Sequence, residues 1–76
     1  MTQKQIRLTT ITDAMEFVKR ASRCEFDIDV FYNRVVIDAK SLLGVLSLDL
    51  TRVLTVSMNG RDEEFEHYLD ELDAAA

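Results

Sequence analysis

The chain switches between two hydrophobic periods. In residues 1–9 apolar and polar positions alternate, with Ile6 and Leu8 set against Gln5 and Arg7. A period of two is the mark of a strand with one buried face. From Ile11 the period lengthens. Ile11, Ala14, Met15, Phe17, Val18 and Ala21 recur at helical spacing, with Glu16, Lys19, Arg20 and Arg23 on the other side. Thr10-Ile11-Thr12-Asp13 and Asp13-Ala14-Met15-Glu16 both have capping-box spacing, so the spacing predicts a helix start at or just after Thr10. The basic residues near its C-terminus suit the helix dipole.

At Glu25 the period returns to two. Phe26, Ile28, Val30 and Tyr32 alternate with Glu25, Asp27, Asp29 and Phe31, a strand with one wet face. Phe31 breaks the polar side and is expected to be partly exposed. Asn33-Arg34 reads as a two-residue turn into a return strand, Val35-Val36-Ile37-Asp38-Ala39. Arginine suits positive φ poorly, so the turn is expected to differ from the usual Asn-Gly form.

The segment Lys40-Ser41-Leu42-Leu43-Gly44-Val45-Leu46-Ser47-Leu48-Asp49-Leu50 is the most apolar in the chain. Ser41 stands where a helix N-cap would offer its oxygen to the free amides of the first turn. On a helix Val45 and Leu48 share a face, while Leu42, Leu43, Leu46 and Leu50 spread over the adjoining arc. So small a domain can bury only part of that arc. The pattern alone favours burial of all of it; the competing reading is an exposed docking patch with Ser41 at its edge.

Val53-Leu54-Thr55-Val56-Ser57-Met58 reads as the last strand, and Asn59-Gly60 as punctuation. Phe65, Tyr68, Leu69 and Leu72 then sit at i, i+3, i+4 and i+7 among acidic residues, which predicts a final helix. Ala74 to Ala76 are expected to fray. The order β-α-β-β-α-β-α predicts an α+β open-faced sandwich: a four-stranded antiparallel sheet with three helices on one face.

Composition narrows the function. Seventy-six residues suit one small domain spanning 1–76, with a modest core. The net charge of −5 and the absence of a basic cluster argue against nucleic acid and anionic membrane; a basic protein surface is the better partner. Cys24 is the only cysteine, which excludes an intrachain disulfide and fits a reducing cytosol. No signal-peptide core or membrane-spanning run is visible, so a cytoplasmic protein is expected.

Candidate chemistry is sparse. There is no phosphate-binding glycine loop, nucleophile elbow, metal-ligand cluster or cofactor motif, so no enzyme is expected. His67, the only histidine, lies on the polar side of the last helix and reads as a solvated residue. Cys24 reads as a small buried hydrophobe. The run from Asp62 to Glu66 reads as a solvated helix face with a dipole-favourable start.

Lys40-Ser41-Leu42-Leu43-Gly44-Val45-Leu46-Ser47-Leu48 resembles the regulatory serine and second helix of HPr, the phosphocarrier family of the bacterial phosphoenolpyruvate:sugar phosphotransferase system. The register runs back through Ala21-Ser22-Arg23, Asp27-Ile28-Asp29-Val30 and Tyr32-Asn33. It runs forward, across a short deletion near Arg52, through Leu54-Thr55-Val56-Ser57 and Gly60 to the final helix. The resemblance covers nearly the whole chain, and its middle block is the specific part. It implies the same open-faced fold.

What it implies for function is divided. In the family, phosphate is carried on a histidine at the start of the first helix, with an arginine two residues later. In this register Thr10 takes the histidine's place and Thr12 the arginine's, and about five residues of the preceding loop are missing. A threonine ester cannot pass phosphate on as a phosphohistidine does. The resemblance therefore implies loss of phosphocarrier activity, and Thr10 is explained as a cap. The serine is kept. In low-GC Gram-positive members the matching serine is phosphorylated by an ATP-dependent HPr kinase. The product binds a transcriptional regulator of catabolic genes, and residues matching Leu42, Leu43 and Leu46 form the docking patch. A phosphate on Ser41 would add about −1.5 to −2 of charge at a helix start. As a cap alone, Ser41 would be worth about 1 kcal/mol, and both readings stand. Asp49 departs from the family's glycine, and the turn after it is shorter.

Three functions follow. The leading one is a regulatory module of sugar transport and catabolite repression, phosphorylated at Ser41 and docking through the leucines. Its partners would be the kinase, a transcriptional regulator or phosphotransferase components. The second is an unphosphorylated interaction domain, a monomer or weak dimer through the leucines. The third is an active phosphocarrier using His67 or a displaced threonine.

Overall fold

The computed structural model describes residues 2–73. The expected element order holds: β1 (Thr2–Ile6), α1 (Ile11–Ser22), β2 (Ile28–Tyr32), β3 (Val35–Asp38), α2 (Leu42–Leu46), β4 (Leu54–Met58) and α3 (Glu63–Glu71). The strands form one antiparallel sheet in the order β1-β4-β2-β3. The register aligns Ile6 with Leu54, Val56 with Val30, Val30 with Ile37, and Met58 with Ile28. Because strand side chains alternate, these residues point to one face, and the helices cover it.

The core closes around Phe17 and Ala21 of α1, Val45 of α2, Phe65 and Leu69 of α3, and the inward strand residues. Phe17 and Phe65 join α1 to α3 with ring centroids 6.1 Å apart. The last residues of α3 reach back to β1, where the Arg7 amide donates to the Leu72 carbonyl at 2.9 Å and Ile6 bridges Asp73. The opposite face of the sheet carries Gln3, Gln5, Thr55, Phe31 and Val36.

Thr10 has its predicted role, and the structure adds a second cap at Asp62. Thr10 caps α1 by accepting the Asp13 amide at 3.0 Å, and Asp62 caps α3 by accepting the Phe65 amide at 2.9 Å. At the β2–β3 turn only Asn33 takes a positive φ, 51°, so Arg34 escapes the left-handed region, as its identity requires.

Several expectations change. The second strand starts at Ile28, not Glu25, and Phe26 instead packs beside Gly60. A Cβ on Gly60 would lie 2.5 Å from the Phe26 ring, so this glycine serves close approach rather than unusual φ. The apolar segment yields only a short helix, Leu42–Leu46; Leu48 is buried but lies beyond it. Val53, expected in the last strand, precedes it and is exposed. The expected fraying of Ala74 to Ala76 falls outside the described residues.

Candidate functional site between the first two helices

The burial favoured by pattern alone fails for three leucines. Leu42, Leu43 and Leu46 are 38%, 83% and 37% exposed, whereas Val45 is fully buried. Five helical residues present one narrow inner stripe, which Val45 takes. Gly44 sets α2 close to β3, since a Cβ there would lie 2.6 Å from Ile37 Cγ2. The leucines flanking that stripe are left outside.

The first helix contributes exposed apolar surface from the same apolar side that the periodicity marks. Ile11 and Met15 are 65% and 52% exposed, while Ala14, Phe17, Val18 and Ala21 are buried. Ile11 and Met15 form an i,i+4 row along the edge of the buried arc. The signal was present in the excess width of the stripe, which exceeds what one helix face can bury on so small a sheet. Met15 and Leu42 share an open groove of about 510 Å³ with Thr12, Glu16, Val18 and Lys19. Its floor is apolar, and Glu16 and Lys19 give it a charged rim.

Ser41 opens α2 and is exposed. Its hydroxyl oxygen accepts the Gly44 amide at 3.2 Å, and its backbone is extended, as a cap requires. The next residue, Leu42, lines the groove. Lys40, on the other side, directs its ammonium to the Cys24 carbonyl at 2.8 Å.

Thr10 is also a cap, at the start of α1. Asp13 completes this end by reaching back to Thr9, whose amide and hydroxyl donate to its carboxylate at 3.2 and 2.8 Å. Those bonds hold the Asp13 carboxyl below its ordinary range. Thr10 does not line the groove, but Thr12 does, so the groove lies beside the opening turns of both α1 and α2.

His67 sits elsewhere, exposed on α3 in a depression with Lys4, Arg61, Glu63, Glu66 and Asp70. Both cations there are already paired, Lys4 with Asp70 and Arg61 with Glu66. Cys24 is buried, and burial pushes its thiol up, which keeps it protonated and unreactive. Among the described residues no cluster of metal-ligating side chains occurs, and no helix is long and apolar enough to cross a membrane.

Comparison with known proteins decides the family. The family described as "PTS HPr component phosphorylation site" matches residues 11–76. The phosphocarrier protein HPr of Buchnera aphidicola is 32% identical over 71 residues, covering 84% of each chain. This chain belongs to the HPr family. Solved HPr structures carry the same architecture. HPr-C-His from Thermoanaerobacter tengcongensis superposes with a TM-score of 0.77 at 26% identity, over 93% of this chain and 89% of that one. An HPr from Bacillus anthracis gives 0.68 at 27%, over 90% of each. The α+β open-faced sandwich is thus the HPr fold, and the groove between α1 and α2 is a feature of an HPr-family surface.

Proposed function

We propose that this HPr-family chain is a regulatory binding module of the phosphotransferase system. In this reading it is phosphorylated on Ser41 and docks protein partners through Leu42, Leu43 and Leu46, with Ile11 and Met15 extending the patch. The observation that carries this reading is the exposed Ser41 hydroxyl beside three leucines that the fold leaves uncovered. Its hydroxyl is held by a 3.2 Å cap contact from the Gly44 amide, so a kinase can engage the oxygen without opening the core. The transfer forms a bond from Ser41 Oγ to the γ-phosphorus of ATP and releases ADP; the hydroxyl proton passes to a base of the kinase. The partners would be an HPr kinase, then a transcriptional regulator or phosphotransferase components. Such a role belongs in the cytosol, where ATP is available and Cys24 stays reduced.

Loss of histidyl phosphotransfer is part of the same reading. Thr10 takes the place of the family's histidine and is bound as a cap. The Asp13 carboxylate already takes the hydrogen bonds offered by Thr9 at that helix end, and it is a fixed negative charge close to where a phosphate would sit. His67 is no substitute. The carboxylates of Glu63, Glu66 and Asp70 surround it, and the nearby cations are committed to two of them.

The deciding experiment is intact-protein mass after incubation with ATP and an HPr serine kinase, with Ser41→Ala beside it. One phosphate, absent from the variant, is expected; no added mass would overturn regulatory phosphorylation. Phosphoenolpyruvate with the general phosphotransferase enzyme is expected to label neither protein. Label retained on His67 would instead establish a phosphocarrier. The unphosphorylated interaction domain is the second reading, supported by Leu43 at 83% exposure. It predicts self-association abolished by Leu42→Asp or Leu46→Asp.

A further inference from the structure

The two edges of the sheet are finished differently. The β1 edge carries Lys4 in mid-strand, and α3 covers its end through the Arg7–Leu72 hydrogen bond and the Ile6–Asp73 bridge. Charged residues and covering segments are what keep an edge from pairing with another chain. The β3 edge carries no charge in mid-strand, only Asp38 at its end, and among the described residues no strand lies beside it. Its residues are Val35, Val36, Ile37 and Asp38, with Val35 and Val36 exposed.

The ladder shows which groups this edge offers. The Ala39 amide donates to the Ile28 carbonyl at 2.9 Å. In an antiparallel pair, bonded and non-bonded residue pairs alternate. Val30–Ile37 and Tyr32–Val35 are therefore bonded, and Val36 and Asp38 turn their backbone groups away from β2. The Asp38 carbonyl is taken by the Ser41 amide at 3.0 Å. Both backbone groups of Val36 and the amide of Asp38 face outward with no strand beside them among the described residues.

We propose that β3 pairs antiparallel with β3 of a second copy of this chain, about a two-fold axis through Val36. The register is fixed by charge. Centring on Val36 places Arg34 of each copy opposite Asp38 of the other, twice over. It also sets Val36 against Val36 and Val35 against Ile37. Residues 34, 36 and 38 share the open face, so the side chains of each Arg–Asp pair meet directly across the new ladder. The hydrogen-bond pattern agrees, because Val36 and Asp38 are the residues whose backbone groups point outward. The two sheets would join into one of eight strands, with both helix layers on the same side.

Arg34→Asp and Asp38→Arg test this by sedimentation equilibrium across the micromolar-to-millimolar range. The unaltered chain is expected to show a reversible monomer–dimer equilibrium. Each single reversal sets like charges opposite each other and should weaken the dimer by about tenfold or more. An equimolar mixture of the two variants should restore it, because the mixed pair regains both attractions. Val36→Pro removes an amide that bonds nothing in the monomer, so it should fold and remain monomeric. Leu43→Asp should dimerise normally. A monomer at every concentration would overturn the proposal. So would a mixture no tighter than its components, or dimers lost in Leu43→Asp.

Discussion

Gly44 lies against Ile37 so closely that a Cβ on the glycine would come within 2.6 Å of Ile37 Cγ2, and within 3.1 Å of Ser41 Oγ. This contact links the candidate modification site to the sheet. Alanine is the better helix former, by roughly 1 kcal/mol in an exposed helix. Here the added methyl must displace the isoleucine, and overpacking of this kind costs about 1–3 kcal/mol. Gly44→Ala is therefore expected to lower the denaturant midpoint. In an Ile37→Ala background the same change should become neutral or stabilising, because the obstructing methyl is gone. A penalty that persists unchanged in the double variant would show that the Ile37 contact is not its cause.

The Tyr68 hydroxyl is buried with no hydrogen-bond partner within the described structure, while the Arg20 guanidinium lies 4.4 Å from the ring centroid. Burial, with the Glu16 charge adding to it, pushes the phenol up from 10.0 to about 12. Since the folded value is the higher, folding favours the protonated phenol. Its contribution is complete below pH 10.0 and is lost as pH rises toward 12. The unaltered protein should therefore lose stability across that interval. Tyr68→Phe keeps the ring under Arg20 and removes the unpaired hydroxyl, so at neutral pH it should be neutral or stabilising by about 1 kcal/mol. The variant should also lose the alkaline slope.

Ser41 has a structural duty that can be separated from any regulatory one. It holds the Gly44 amide, and α2 has only five residues over which to spread the loss. Ser41→Ala should cost about 1 kcal/mol, read as a fall in unfolding midpoint. Ser41→Asp should recover most of that, because aspartate caps as well as serine does. If the aspartate variant were as unstable as the alanine one, the cap would not be the source of the loss.

Much of this was legible in the sequence because local rules sufficed. Thr10 and Ser41 each stand before a helix, and each caps it; the cap at Asp62 appears only in the structure, since its acidic run reads equally well as a solvated face. The strand periods fix which face is buried, and the turn at Asn33-Arg34 fixes the hairpin. What periodicity could not supply was the size of the surface available to cover each helix. It puts Ile11 and Met15 on the apolar side of the first helix with Ala14, Phe17, Val18 and Ala21 and does not separate the exposed from the buried. It assigned the leucines of the central segment to the core because apolar residues usually go there. The short α2, held close to β3 by Gly44, has room inside for Val45 alone. The pattern offers exposure of the leucines only as the competing reading; the family resemblance, which implies a docking patch, is what favours it. Phe26 was read as a strand residue because a period of two runs through it; its approach to Gly60 is a tertiary fact with no local signature.

Leu43 and Leu48 lie in one apolar run, yet the fold treats them oppositely: one is 83% exposed and the other 5%. If the exposed leucines serve docking rather than stability, polar replacement at Leu43 should leave the fold intact. Leu43→Ser is expected within about 0.5 kcal/mol of the parent by chemical denaturation. Leu48→Ala removes buried atoms from a packed site and should cost about 2–4 kcal/mol. A large loss at Leu43 would mean that its side chain is covered in the folded protein, which would remove it from any surface offered to a partner. The expected contrast leaves Leu43 as a residue that can be altered to test binding without altering the structure that presents it.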